Sequence, residues 1–259
     1  MTSTGEIRDY LFAIAPLELK MDFDNVGLLV GSPDAPVQRV LFSLDITTEV
    51  IDEAVDVGAQ LIVSHHPVVW DAMKSVTGET VQSAKVIKLI KNGIAAICMH
   101  TNLDIADGGV NDALMETLGC PVSGILEPTG GGFGCGRVGE YERETPLDQF
   151  LAFCKGALKS CGLRYYDAGR AVKKLAVMGG AGGDCVGLAY DLGCDTYVTA
   201  DIKYDQFLTA RELGINLIDA DHFCTENVVI SGLERRIKEK FPQLDTGISK
   251  IHGQTARFF

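Results

Sequence analysis

Apolar residues along the chain keep two rhythms. From Glu6 to Ala15 they recur at helical spacing and stop before Pro16. The same period returns from Thr48 to about Val57, from Val81 to Lys91 and from Val110 to Leu118, with Thr47 or Thr48 available as a cap and Gly58, Asn92-Gly93 and Gly119 as stops. Between these segments lie short, mostly apolar runs at Val40–Asp45, Leu61–Val63 and Ile94–Met99. They are too short for helices and rich in β-branched residues, so they predict buried strands. Strands alternating with helices imply βαβ units and a largely parallel sheet.

Beyond Leu118 the pattern changes. Residues 124–136 are rich in glycine, include Pro128 and form the best boundary candidate. The chain is therefore divided into a first half, 1–124, and a second half, 125–259. Further strands are expected at 136–141, 163–166 and 174–178, and a helix with Pro146 at its first position is expected to run to about Ser160. The second half then repeats the first. Asp56-Val57-Gly58-Ala59-Gln60-Leu61-Ile62-Val63-Ser64 aligns with Asp191-Leu192-Gly193-Cys194-Asp195-Thr196-Tyr197-Val198-Thr199, and Asn92 to Ile97 aligns with Leu213 to Ile218. The order strand, helix, glycine, strand reads as an internal duplication. The competing reading is two similar βα units, since glycine after a helix is common.

The polar residues gather where the apolar runs stop. Leu61-Ile62-Val63 ends in Ser64-His65-His66-Pro67, and the chain has only five histidines. The run to Met99 ends in His100-Thr101-Asn102-Leu103-Asp104, and the matched run in the second half ends in Asp219-Ala220-Asp221-His222-Phe223-Cys224-Thr225-Glu226. Strands of an α/β sheet present functional residues at their carboxyl ends. His222 and Glu226, four apart, share a face of a helical turn. If the halves meet, His65, His66, Asp104, His222 and Glu226 give an imidazole and carboxylate set suited to divalent transition metals. Five ligands exceed one tetrahedral site and suit two ions with Glu226 as the bridge. The alternative for each histidine is a hydrogen-bonded core residue. His100 is a sixth ligand, a support for a ligand carboxylate or a general base, and the supporting role is preferred. Asp201 holds the place of His66 in the repeat and lines the cleft or caps a loop. His252 reads as a surface or strand residue.

Two further features stay open. Gly179-Gly180-Ala181-Gly182-Gly183 follows a strand and opens a helix, so Gly180, Gly182 and Gly183 either offer backbone N–H groups to an anion or make a tight crossover turn. The eight cysteines contain no C-x-x-C pair. They read as reduced, buried thiols of a cytoplasmic protein rather than a disulfide framework. The net charge of −12 argues against binding nucleic acid or anionic membranes. No apolar run approaches a membrane span, and the first residues lack a signal pattern.

These motifs resemble the family named GTP cyclohydrolase 1 type 2, or NIF-three-like. The resemblance rests on Asp24-Asn25-Val26-Gly27-Leu28-Leu29-Val30-Gly31, Ser64-His65-His66-Pro67, His100 to Asp104, the 179–183 glycines, Thr199-Ala200-Asp201-Ile202-Lys203-Tyr204 and Asp219 to Glu226. It implies a NIF-three-like α/β fold: two duplicated βαβ halves with helices on mainly parallel or mixed sheets, in three α/β/α layers. It implies two divalent metals (zinc, manganese, iron, nickel or cobalt) on the same five residues, and a homohexamer built as a trimer of dimers. Phe23 stands where a tryptophan is usual, Asp205 where many members have histidine, and the tail at Ile251-His252-Gly253-Gln254 lacks the usual acidic-proline ending. The short 124–136 stretch leaves no room for the domain some members insert there. The activity implied is metal-dependent hydrolysis of GTP, with water added at C8 of guanine and formate released, or of a related nucleotide or phosphoester. The alternative is a metal-binding regulatory or interaction protein without turnover, such as a transcription-factor partner.

Overall fold

The computed structural model of the protein describes residues 1–258. In chain order its elements are α1 (Thr4–Ile14), β1 (Gly27–Val30), β2 (Arg39–Ser43), α2 (Thr48–Asp56), β3 (Leu61–Ser64), α3 (Val81–Lys91), β4 (Ala95–Cys98), α4 (Thr101–Ile105), α5 (Val110–Thr117), β5 (Val122–Gly130), β6 (Phe133–Thr145), α6 (Leu147–Ala157), β7 (Arg164–Tyr166), β8 (Val172–Val177), α7 (Val186–Asp191), β9 (Thr196–Thr199), α8 (Tyr204–Leu213), β10 (Asn216–Asp219), α9 (His222–Glu226), α10 (Ile230–Lys240) and β11 (Asp245–Ile248). Helix starts follow local chemistry. Ser3 and Glu6 close a capping box on α1, and the hydroxyls of Thr47 and Thr80 accept from the first turns of α2 and α3. Each such cap contributes about 1 kcal/mol. Pro146 sits one residue outside α6, as its N-cap, and the helix ends at Ala157 rather than Ser160.

Contacts divide the chain into two compact units. The first is Met1–Ala106 with Ile230–Gly253; the second is Asp107–Val229 with the residues from Gln254. The first unit carries a five-stranded sheet in the order β1-β4-β3-β2-β11. β2, β3 and β4 run parallel, and β1 is antiparallel to β4. Leu41, Ile62 and Ala96 on one sheet face pack with Val50, Ile51 and Ala54 of α2 and Val86 and Leu89 of α3. On the other face Val40, Phe42, Val63 and Ile97 are fully buried, and α10 packs on β2 and β11.

The second unit carries a six-stranded sheet in the order β5-β6-β8-β9-β10-β7. Here β8, β9 and β10 run parallel and β7 is antiparallel to β10. Leu175, Val177, Val198 and Ile218 pack with α5 and α6 on one face, while Ala176, Tyr197 and Leu217 pack with α7 and α8 on the other. The order β7-β10-β9-β8 repeats the order β1-β4-β3-β2, with the same strand senses, so the duplication is visible in the topology.

The units part at 106/107, whereas the sequence halves part at 124/125, and residues 230–253 return to the first unit. The reason is packing: Leu114, Met115 and Leu118 of α5 belong to the core of the second sheet. The glycine-rich 124–136 stretch lies inside the second unit and forms the turn of the β5–β6 hairpin with the strand segments that flank it. Gly136 is in the left-handed region, φ +67°, and a Cβ there would come within 2.7 Å of the Val177 carbonyl. Glycine lets two backbones approach at that point.

No disulfide joins the eight cysteines, and six of them are buried. Burial raises the Cys154 thiol to about 12. Among the described residues no helix is long and apolar enough to cross a membrane.

Candidate functional site

The parallel strands of the first unit finish level. Ser43 of β2 pairs with Ser64 of β3, and Ser64 with Cys98 of β4. Asp45, His65-His66 and His100 therefore leave the same sheet edge. His65 is fully buried, and its Nδ1 donates to the Met99 carbonyl at 2.8 Å. His66 Nδ1 donates to Asp45 Oδ1 at 2.8 Å, and His100 Nδ1 to Asp24 Oδ1 at 2.8 Å. The three rings lie 5.0 to 5.5 Å apart. One ring nitrogen from each falls within 4.8 Å of the others, a spacing able to hold a metal ion. Asp104, on α4, brings Oδ1 to 3.6 Å from His65 Nε2.

The second unit repeats the device. Thr199 of β9 pairs with Asp219 of β10, so Asp201 and His222 leave one edge. His222 Nδ1 donates to Asp201 Oδ2 at 2.7 Å, and His222 Nε2 lies 3.1 Å from Glu226 Oε2. α9 is a single turn, capped by the Asp221 side chain on Cys224 N–H, and sets that i,i+4 pair on one face. Asp201 and Asp221 hold positive φ, 52° and 75°. Such backbone costs of order 1 kcal/mol or more and clusters at functional sites. The Glu226 side chain is almost wholly buried.

Each of these four histidines thus spends Nδ1–H on a carboxylate or a carbonyl. That bond holds a proton on Nδ1 and orients Nε2 toward a further partner, which in His222 is Glu226 Oε2, the arrangement that orients metal-ligating imidazoles. Nε2 atoms beside carboxylate oxygens fit a divalent transition metal in donor type, which in His222 takes the place of the Nε2 proton.

The charges agree with this. Burial opposes ionisation of Asp24, but bonds from His100 and from the Thr101 hydroxyl and N–H outweigh it and hold the carboxyl far below its usual range. His222 is opposed by burial too. The Glu226 and Asp201 carboxylates prevail, and in the metal-free protein its pKa is raised to about 9.

His65, His66, His100 and Asp104 are gathered in the first unit, and His222, Glu226 and Asp201 in the second. Gly180 and Gly182 turn their N–H groups inward, to Thr225 Oγ1 at 3.0 Å and Thr199 Oγ1 at 2.9 Å, and Gly179 N–H goes to Asn111. Those donors are not offered to an anion, and the loop is a tight crossover beside Glu226. Gly183 opens a turn of 3₁₀ helix leading into α7. His252 lies outside any strand and is half-buried in the first unit, its N–H donating to Ser249 Oγ at 3.1 Å. Burial lowers its pKa. Asp24 and Asp45 were legible only as turn and strand-end residues. Neither aspartate is near its histidine in sequence: Asp24 lies 76 positions from His100 and Asp45 21 positions from His66.

A duplicated α/β protein with histidine and carboxylate clusters at matching sheet edges defines the class. Residues 2–255 match the family described as Duf34/NIF3 (NGG1p interacting factor 3), and the chain belongs to it. It is 37% identical over 256 residues to a Clostridium perfringens protein named GTP cyclohydrolase 1 type 2 homolog, covering 98% of this chain and 97% of the relative. A Clostridium acetobutylicum protein of the same name is 38% identical over 216 residues, 82% of this chain and 81% of that one. Among solved structures, a Bacillus cereus protein related to NIF3 superposes with a TM-score of 0.95 at 26% identity, over 100% of this chain and 99% of that one.

Proposed function

We propose that the protein holds two divalent metal ions through His65, His66, Asp104, His222 and Glu226 and acts as a metal-dependent hydrolase on GTP or a related nucleotide or phosphoester. The observation that carries the reading is the commitment of every cluster histidine's Nδ1 to an acceptor, which readies Nε2 as a donor. The name shared by the relatives supports the hydrolytic half. When bound, such ions acidify a coordinated water and polarise the atom under attack. The chain's own part is to hold the donors still. Asp45 orients His66, Asp201 orients His222, and the Met99 carbonyl orients His65. Glu226, with two carboxylate oxygens, would be the residue able to hold both ions. His100, held by Asp24, stands beside the donors and supports them. A homohexameric assembly belongs to the same reading and rests on the family resemblance.

The test is elemental analysis joined to turnover on GTP and on phosphoesters by metal-loaded protein. Glu226→Ala is expected to lose both ions, and His65→Ala or His66→Ala mainly one. Retention of two ions by Glu226→Ala sinks the bridge. Full loading without turnover of either substrate class replaces the hydrolase with a metal-binding interaction protein, the kind of role the family's description names.

A further inference from the structure

Trp70 is the chain's single tryptophan, on the loop that leaves β3 just after the histidine pair. It fills no core, being 52% exposed. Its ring centroid lies 5.2 Å from that of His100 at an interplanar angle of 88°, and 6.1 Å from that of His66 at 39°. The loop backbone is pinned on both sides of Trp70, on the far side by Gln82 Nε2 donating to the Asp71 carbonyl at 3.2 Å. Trp70 N–H donates to Gln82 Oε1 at 3.2 Å, and the Val69 carbonyl accepts from Asn25 Nδ2 at 2.6 Å. Asn25 belongs to the turn that supplies Asp24 to His100, and that turn also exposes Phe23, at 75%. A large aromatic is therefore held in place, against two imidazoles of the donor cluster, with half its surface open.

Single exposed apolar residues are ordinary on proteins and need no role. This one differs in being anchored at the rim of the cluster. A pinned indole loses little entropy on contact, and its face accepts any flat heterocycle. We propose that Trp70 is a binding wall of the substrate site, on which the nucleobase of a free nucleotide stacks beside His66 and His100. The identity of the ligand rests on the nucleotide reading given above; the placement of the wall rests on the ring geometry. The net charge of −12 opposes a polymeric nucleic acid as the occupant.

Because the chain has one tryptophan, its emission reports this position alone. Metal-loaded full-length protein is titrated with GTP, with ATP and with inorganic tripolyphosphate, which lacks a base. The expected result is saturable quenching by a nucleotide and none by tripolyphosphate. Calorimetry then compares variants: Trp70→Ala is expected to bind the quenching nucleotide roughly tenfold or more weakly, and Trp70→Phe within a few-fold of the native chain. Unchanged metal content in both variants separates stacking from support of the cluster. Absence of quenching by both nucleotides, or native affinity in Trp70→Ala, overturns the proposal. Quenching without turnover leaves this wall standing and removes the hydrolase, whereas turnover indifferent to Trp70→Ala does the reverse.

Discussion

Gly180 and Glu226 compete for the same space. A Cβ on Gly180 would overlap Glu226 Oε1 and come within 3.3 Å of the His222 ring. Gly180 also sits in the left-handed region, φ +66°. Gly180→Ala is therefore expected to cost about 1–2 kcal/mol in backbone strain and to push the Glu226 carboxylate off its position. Elemental analysis should find metal content well below that of the native chain in protein that still folds by circular dichroism. Native metal content in Gly180→Ala would show that the carboxylate tolerates the shift.

Asp24 is buried and holds His100 and Thr101 through an ionised carboxyl. Asp24→Asn should lower stability at neutral pH by about 1–3 kcal/mol. Its folded pKa is depressed, so the stability it contributes is complete above the ordinary carboxylate value. That contribution shrinks as pH falls below about 4 and vanishes only below the folded value. Urea unfolding across acidic pH should show native and Asp24→Asn curves converging as pH falls; a constant gap would contradict the linkage.

His222 has the opposite sign. Its folded pKa, about 9, lies above the unfolded value of about 6.5. In metal-free protein the charged ring stabilises the fold fully below pH 6.5, and the contribution is lost as pH rises through 9. Thermal melting of the metal-free chain should fall across that window, and that of His222→Gln should not. A metal that takes Nε2 must displace this proton, so its affinity should rise with pH up to about 9. Calorimetry in buffers of different ionisation enthalpy measures the proton released.

Within the second unit, Arg137 is buried on β6. It meets Asp112 of α5 through Nε–Oδ1 at 2.8 Å and Nη2–Oδ2 at 2.9 Å, while Nη1 donates to the Gly134 and Gly136 carbonyls. Asp112→Ala removes the bidentate carboxylate and leaves Arg137 the more distant Asp107, at 3.7 Å, and is expected to destabilise by about 2–3 kcal/mol in chemical denaturation. Arg137→Met, which removes the charge as well, should cost less than Asp112→Ala.

β3 and β4 were legible because they are buried on both faces and show as short apolar runs, whereas β9 and β10, with polar residues at both ends, were legible through the repeat of the first half. The polar residues just past them stood out for the same reason. Their partners were harder to see. Asp24 reaches His100 across 76 positions, and Asp45 reaches His66 across 21; nothing local in either aspartate announces the bond. The glycines of 124–136 read as a boundary because glycine marks both a chain that changes course and a place where backbones touch. Gly136 is there for the second reason. β11 carries no signal of its own sheet, since an edge strand of four residues is chosen by long-range pairing rather than by pattern.

That pairing has a consequence for how the molecule comes into being. Arg39 of β2 and Asp245 of β11 form an ion pair across 206 residues. A ribosome therefore delivers β2, β3 and β4, with the histidine pair between them, long before the strand that covers their open edge. Every strand of the second sheet lies within one continuous stretch and can close while synthesis is still under way. The older half of the duplicated pattern, in order of birth, is thus the last to be finished, and for most of translation β2 is an unguarded edge in need of protection from other chains.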